Sequence, residues 1–182
     1  IQALNLQFRS GDRVQVTVAP SGDRPDASFE ISPGTVIQPG PYEWLRRGVT
    51  VTTAQKRRFS TSVSWTSGSF YDGELDQYEW SWVWNPAPLF TVEFNGERNI
   101  GRVVSGRFTQ HLVGTRVRMN VSADFSVSSY AQYDTDTDSV GVNTRLRWTF
   151  LPVADLFVVY NHNVRSLLDR WQFDSNQLLV KL

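Results

Sequence analysis

The sequence predicts an all-β fold, an antiparallel up-and-down transmembrane β-barrel, with about eleven strands falling within these 182 residues. Three observations predict it. Period-two alternation of apolar and polar side chains recurs from end to end, and no helical period persists for three turns. One stretch, Tyr78 to Trp84, sets Tyr78, Trp80, Trp82 and Trp84 on one face of a strand against Glu79, Ser81 and Val83 on the other. The connections between strands also alternate between short and long, as they do where tight turns face the periplasm and long loops face outside.

Taken in order, Leu4, Leu6 and Phe8 alternate with Asn5 and Gln7, and Val14, Val16 and Val18 with Arg13, Gln15 and Thr17, across a tight Ser10-Gly11-Asp12 turn. A long proline- and glycine-rich connection is expected from Pro20 to Pro41, then a strand from Tyr42 to Thr53 with Arg46 and Arg47 in its middle. Phe59, Thr61, Val63 and Trp65 oppose Arg58, Ser60, Ser62 and Ser64; a loop from Ser67 to Gly73 then leads into the tryptophan strand. Asn85-Pro86-Ala87-Pro88 is expected to turn the chain, because proline cannot donate to a ladder, and Phe90, Val92 and Phe94 follow.

Beyond an expected loop from Gly96 to Gly106, Val113, Val117, Met119 and Val121 oppose Arg116, Arg118, Asn120 and Ser122. Phe125, Val127 and Ala131 face away from Ser126, Ser128, Tyr130 and Gln132; Val140, Val142, Leu146, Trp148 and Phe150 face away from Asn143, Arg145, Arg147 and Thr149. After a turn at Pro152 come a strand from Leu156 to Tyr160, a loop from Asn161 to about Asn176, and a last strand from Gln177. Counted by direction, an odd number of strands is expected before Ile1, so residues 1–182 read as the C-terminal part of a larger barrel.

Composition narrows the function classes. Eighteen basic and eighteen acidic side chains cancel, which leaves no bulk field to recruit nucleic acid. No apolar run approaches the roughly 20 residues of a spanning helix, and no cysteine is present for a disulfide framework or a thiolate metal site. His111 and His162 lack the acidic or second-histidine spacing of a catalytic or metal centre. Asp134, Asp136 and Asp138 alternate like the start of a calcium loop, but Ser139 and Arg145 stand where that loop needs glycine and a bidentate acid. No enzyme, cofactor or metal site is expected.

Two sets of side chains carry the functional expectation. Trp44, Trp65, Tyr78, Trp80, Trp82, Trp84, Trp148 and Phe150 are the candidate membrane-interface aromatics, and the lipid bilayer is the expected partner. Arg58, Glu79, Glu93, Arg116, Arg118, Arg145 and Arg147 are the candidate lumen-lining charges, which would pair across strands and tune what passes. In the alternative reading, a soluble sandwich, the aromatics form an inner core and the same charges a solvated outer face.

The stretches Phe29-Glu30-Ile31-Ser32-Pro33-Gly34-Thr35-Val36-Ile37, Ser67-Gly68-Ser69-Phe70-Tyr71-Asp72-Gly73, and Leu146 to Pro152 with Asp155 to Asn161, resemble the C-terminal barrel of a family of bacterial envelope proteins. Those proteins carry an N-terminal domain similar to family-nine carbohydrate-binding modules. The resemblance covers most of the chain in order, and its last motif is the most specific. It implies a bacterial outer-membrane location and a connection with glycans, and no catalytic residue carries over; other envelope proteins are a further expected partner. Members usually continue past the point matching Leu182 to a terminal aromatic, so the last strand is expected to be incomplete. The functional expectation is passage of small polar solutes or oligosaccharides, with a non-conducting barrel that anchors a binding domain as the alternative.

Overall fold

The computed structural model describes residues 1–168 and 170–182. Its regular structure is strand alone: β1 (Gln2–Gln7), β2 (Arg13–Asp23), β3 (Phe29–Ser32), β4 (Thr35–Ile37), β5 (Tyr42–Thr52), β6 (Phe59–Phe70), β7 (Gly73–Ala87), β8 (Phe90–Val103), β9 (Gly106–Asn120), β10 (Phe125–Asp134), β11 (Ser139–Leu151), β12 (Ala154–Leu167) and β13 (Arg170–Lys181). Eleven of these pair in the order β1-β2-β5-β6-β7-β8-β9-β10-β11-β12-β13, so β1 and β13 are the edges, while β3 and β4 pair only with each other. The all-β antiparallel meander expected from the alternation is the one observed.

The connections differ from expectation. The segments expected as long loops at 67–73, 96–106 and 161–176 are mostly strand: β6 and β7 meet at Tyr71-Asp72, β8 and β9 at Val104-Ser105, and β12 runs on to Leu167. Asp169, inside the last of these expected loops, lies outside the described residues. Runs such as Glu97-Arg98-Asn99 and Asn161-His162-Asn163 stay extended because the ladder is made by backbone groups, which polar side chains leave free to pair. Tyr71, Asp138, Val153 and Leu168 take positive φ, which lets hairpins close tightly without glycine at those points. The short-long sorting of connections therefore does not hold. Pro86 also differs, since it lies within β7 rather than in a turn.

Contacts divide the chain into two compact units, residues 1–56, 60–81 and 96–111, and residues 57–59, 82–95 and 112–182. In the first unit the register pairs Leu4 with Val16, Leu6 with Val14, Val16 with Val49, and Val49 with Trp65, which makes one apolar face. The opposite face is hydroxyl-rich: Thr50 bonds Ser64 at 3.0 Å and Thr52 bonds Ser62 at 3.1 Å. Gly48 is needed between these strands, because a Cβ there would meet the Thr17 and Thr66 hydroxyls at 2.9 Å.

The long β2–β5 connection is not structureless. Its β3–β4 hairpin buries Thr35 and Ile37, the latter fully. Val36 N–H donates to Ser105 Oγ at 2.9 Å, and Gln110 Nε2 donates to the Ile31 carbonyl at 3.2 Å. These bonds hold the hairpin at the β8–β9 turn, beside the stretch that supplies buried Val103 and Phe108. Alternation within Phe29–Ile37, broken at Pro33-Gly34, was the available sequence signal for this hairpin.

In the second unit β9 to β13 pair as successive antiparallel neighbours, with the register shifting between Thr149 and Leu151 and between Asn163 and Val164. Met119, Val127, Leu146, Val158 and Val180 fall on one apolar face, and Arg118, Ser128 and Arg145 on the polar one. Trp82, Trp84, Phe94, Val113, Met119, Trp148 and Phe150 on the apolar face are all exposed.

Candidate functional site

The polar face of the second unit gathers five of the seven expected lumen charges. Period two sets Glu93 on β8, Arg116 and Arg118 on β9, and Arg145 and Arg147 on β11. Glu93 accepts from Arg118 Nη2 and lies 3.6 Å from Arg116 Nη1, so one carboxylate serves two guanidinium groups. Arg116 also sits over the Tyr130 ring, 4.9 Å from its centroid. Arg147 lies 3.3 Å from Asp155 Oδ2, and Asp155 also accepts from the Thr149 hydroxyl. The Arg145 side chain is exposed and makes no hydrogen bond or ion pair among the described residues. Four guanidinium groups thus face two carboxylates, an excess of positive charge in a chain that is neutral overall.

Register fixes the spacing of these groups. Ser128 lies between Arg118 and Arg145, Ser126 between Asn120 and Arg147, and Tyr130 between Arg116 and Asn143. Further along the same face the side chains become neutral amides. Asn143 Nδ2 donates to Asn161 Oδ1, Asn161 Nδ2 to Gln177 Oε1 at 3.3 Å, and Asn163 Nδ2 to Ser175 Oγ at 3.0 Å. These residues, with Tyr130 and Gln132, line a recess of about 700 Å³. This amide ladder and the Arg147–Asp155 pair were missed from sequence, because each needs the β11–β12 register as well as the alternation.

The other two expected charges lie elsewhere. Arg58 sits in the bend before β6, outside any strand, where its carbonyl accepts the Asn85 N–H at 2.7 Å. Glu79 is in the first unit, bonded by Gln77 Nε2 at 3.0 Å; Gln77 also donates to Glu97 and accepts from Arg46 Nη1. Arg46 joins this group although the sequence left its face open.

The expected interface aromatics separate in a similar way. Trp65, Tyr78, Trp82, Trp84, Trp148 and Phe150 are exposed, and Trp80 is half-buried over Gly96, whose added Cβ would meet the ring at 2.1 Å. Trp148 and Phe150 rings lie 5.9 Å apart. Trp44 differs: it falls on the Arg46 face of β5 and packs against Phe70 and Tyr71, with centroids at 5.8 and 4.9 Å. Phe29 and Tyr42 also pack on Tyr71, so Trp44 belongs to an aromatic cluster around the β6–β7 turn.

Tyr71 donates to Asp23 Oδ2 at 2.8 Å, and burial, reinforced by that carboxylate, pushes its phenol up to about 12. His162 pairs with Asn176 at 2.6 Å and stacks beside Tyr160, on the face that carries Val142. Comparison with protein families, with curated proteins and with solved structures finds no match to this chain.

Proposed function

We propose that this chain forms wall strands of a bacterial outer-membrane β-barrel whose polar face lines a path for small polar solutes. One observation carries the reading. Among the described residues the buried hydrophobic side chains are Ile37, Ala54, Leu75, Val92, Val103 and Phe108, while large apolar side chains stand exposed along nearly every strand. A soluble fold with such a surface would aggregate; lipid is the solvent that suits it. Main-sheet strands from β5 to β13 run 10 to 15 residues, enough for the roughly 9 to 11 that cross a bilayer at a tilt. The reading requires the edges β1 and β13 to be paired, with each other or with further strands, because lipid does not tolerate open ladders.

The β3–β4 hairpin favours a second reading, a barrel that does not conduct and serves as an anchor for a glycan-binding domain or as a subunit of an envelope assembly. A connection folded back on its own strand ends can close a barrel as a plug does. Both readings expect the purified protein to need detergent and its tryptophan fluorescence to be quenched by brominated lipid after reconstitution. Solubility without detergent would overturn both. Planar-bilayer conductance then separates them: stable channels support the solute path, and insertion without current supports the anchor.

A further inference from the structure

We propose that Ser126 and Ser128, with Arg118, Arg145 and Arg147 around them, form a binding site for small oxyanions, that is, solutes bearing phosphate, sulfate or carboxylate. The inference rests on the reading of this face as the wall of a solute path, and it names the class of solute. Cross-strand register sets Arg118, Ser128 and Arg145 in one row and Asn120, Ser126 and Arg147 in the next. Neighbouring strands lie about 4.8 Å apart, so two arginine backbones stand about 10 Å apart with only a serine between them. Arg118 reaches back to Glu93 on β8 and Arg147 forward to Asp155 on β12, so the Ser126 and Ser128 hydroxyls and the unengaged Arg145 guanidinium are the donors left for a tetrahedral or planar oxyanion, with the two paired guanidinium groups at its rim.

The protein neutralises this charge only in part. Glu93 is shared by Arg116 and Arg118, and Asp155 is engaged by Arg147 and Thr149. Arg145 keeps all its donors free among the described residues. The next strand offers it nothing to bond, since Arg145 pairs across to Val159 and Arg147 to Phe157. Arg116 is not part of the site, since it lies one row further along, over the Tyr130 ring.

Calorimetric titration of the full protein in non-ionic detergent with inorganic phosphate at low ionic strength tests the site. Saturable binding is expected, weakened about tenfold by Arg145→Gln, further by Arg118→Gln with Arg145→Gln, and by added salt. Arg107→Gln, an exposed arginine in the first unit, should bind as the parent does. Arg145 supports no other side chain, so its loss should leave folding intact. Absence of saturable phosphate binding, or an equal loss with Arg107→Gln, overturns the proposal. Phosphate binding by a protein that inserts without conducting supports the site and removes the solute path. Conductance without phosphate binding removes the site and leaves the path.

Discussion

The first unit buries Ile37, Ala54, Leu75, Val103 and Phe108, whereas the second buries Val92 alone among its hydrophobic residues described here. Both are built from the same alternation of apolar and polar side chains. They differ in what their polar faces carry. In the first unit the Thr50–Ser64 and Thr52–Ser62 hydroxyls satisfy one another across strands, and Arg46, Gln77, Glu79 and Glu97 form one bonded group. Guanidinium groups in the second cannot be covered without losing solvation that two carboxylates do not replace. The polar face of the first unit thus largely satisfies itself, and the arginine-rich one of the second stays wet and open to ligands.

Ile37→Ala should sharpen this contrast most. The side chain is fully buried at the end of β4, and its truncation should cost about 2–5 kcal/mol. Loss of the hairpin's anchor should expose residues 24–41 to protease before the strands melt. Val159→Ala, on the half-buried polar face of the second unit, should cost under about 1 kcal/mol. Denaturant titration in detergent with limited proteolysis checks both; equal losses would break the distinction.

The strands and their faces were legible because alternation is a local property. Phe59, Val63 and Trp65 against Ser60, Ser62 and Ser64 need no partner strand to be read. Connections were harder. Polar runs such as Asn95 to Asn99 and Asn161 to Asn163 look like loops in isolation, yet they stay extended and pair across strands. The charges at Glu93, Arg116, Arg118, Arg145 and Arg147 were readable as one face, but their rows around Ser126 and Ser128 needed register, which alternation alone leaves free by two residues. The face of Trp44 was not legible because Arg46 and Arg47 interrupt β5 and hide which parity is apolar.

Glycine-to-alanine exchange offers a smaller test. A Cβ at Gly101 would lie 2.1 Å from the ring of Phe108, a buried side chain of the first unit. Overpacking there should cost about 1–3 kcal/mol. At Gly114 in the second unit the nearest atoms are the Tyr130 hydroxyl at 2.5 Å and the Asn95 amide at 2.8 Å, both at the ends of half-buried side chains that can move aside. Gly114→Ala should therefore cost less than Gly101→Ala in the same denaturant titration. A reversed order would mean that the polar face of the second unit is the more rigidly packed of the two.

The smallest effect is expected at Tyr71, and only in alkali. Its neutral phenol donates to Asp23, and ionisation would place two negative oxygens 2.8 Å apart in a partly desolvated turn. The folded group therefore holds its proton up to about 12, whereas a tyrosine in an unfolded chain releases it near 10. A raised folded value contributes stability that is complete below about 10 and is lost as pH rises toward 12. Because Tyr71 remains partly exposed, solvent screens the loss. Tyr71→Phe should change little at neutral pH and flatten the alkaline limb of a stability profile. Tyrosinate absorbance should show one fewer late-titrating phenol. An unchanged limb would mean that the aromatic cluster around Trp44, Phe70 and Tyr71 holds the turn by ring packing alone.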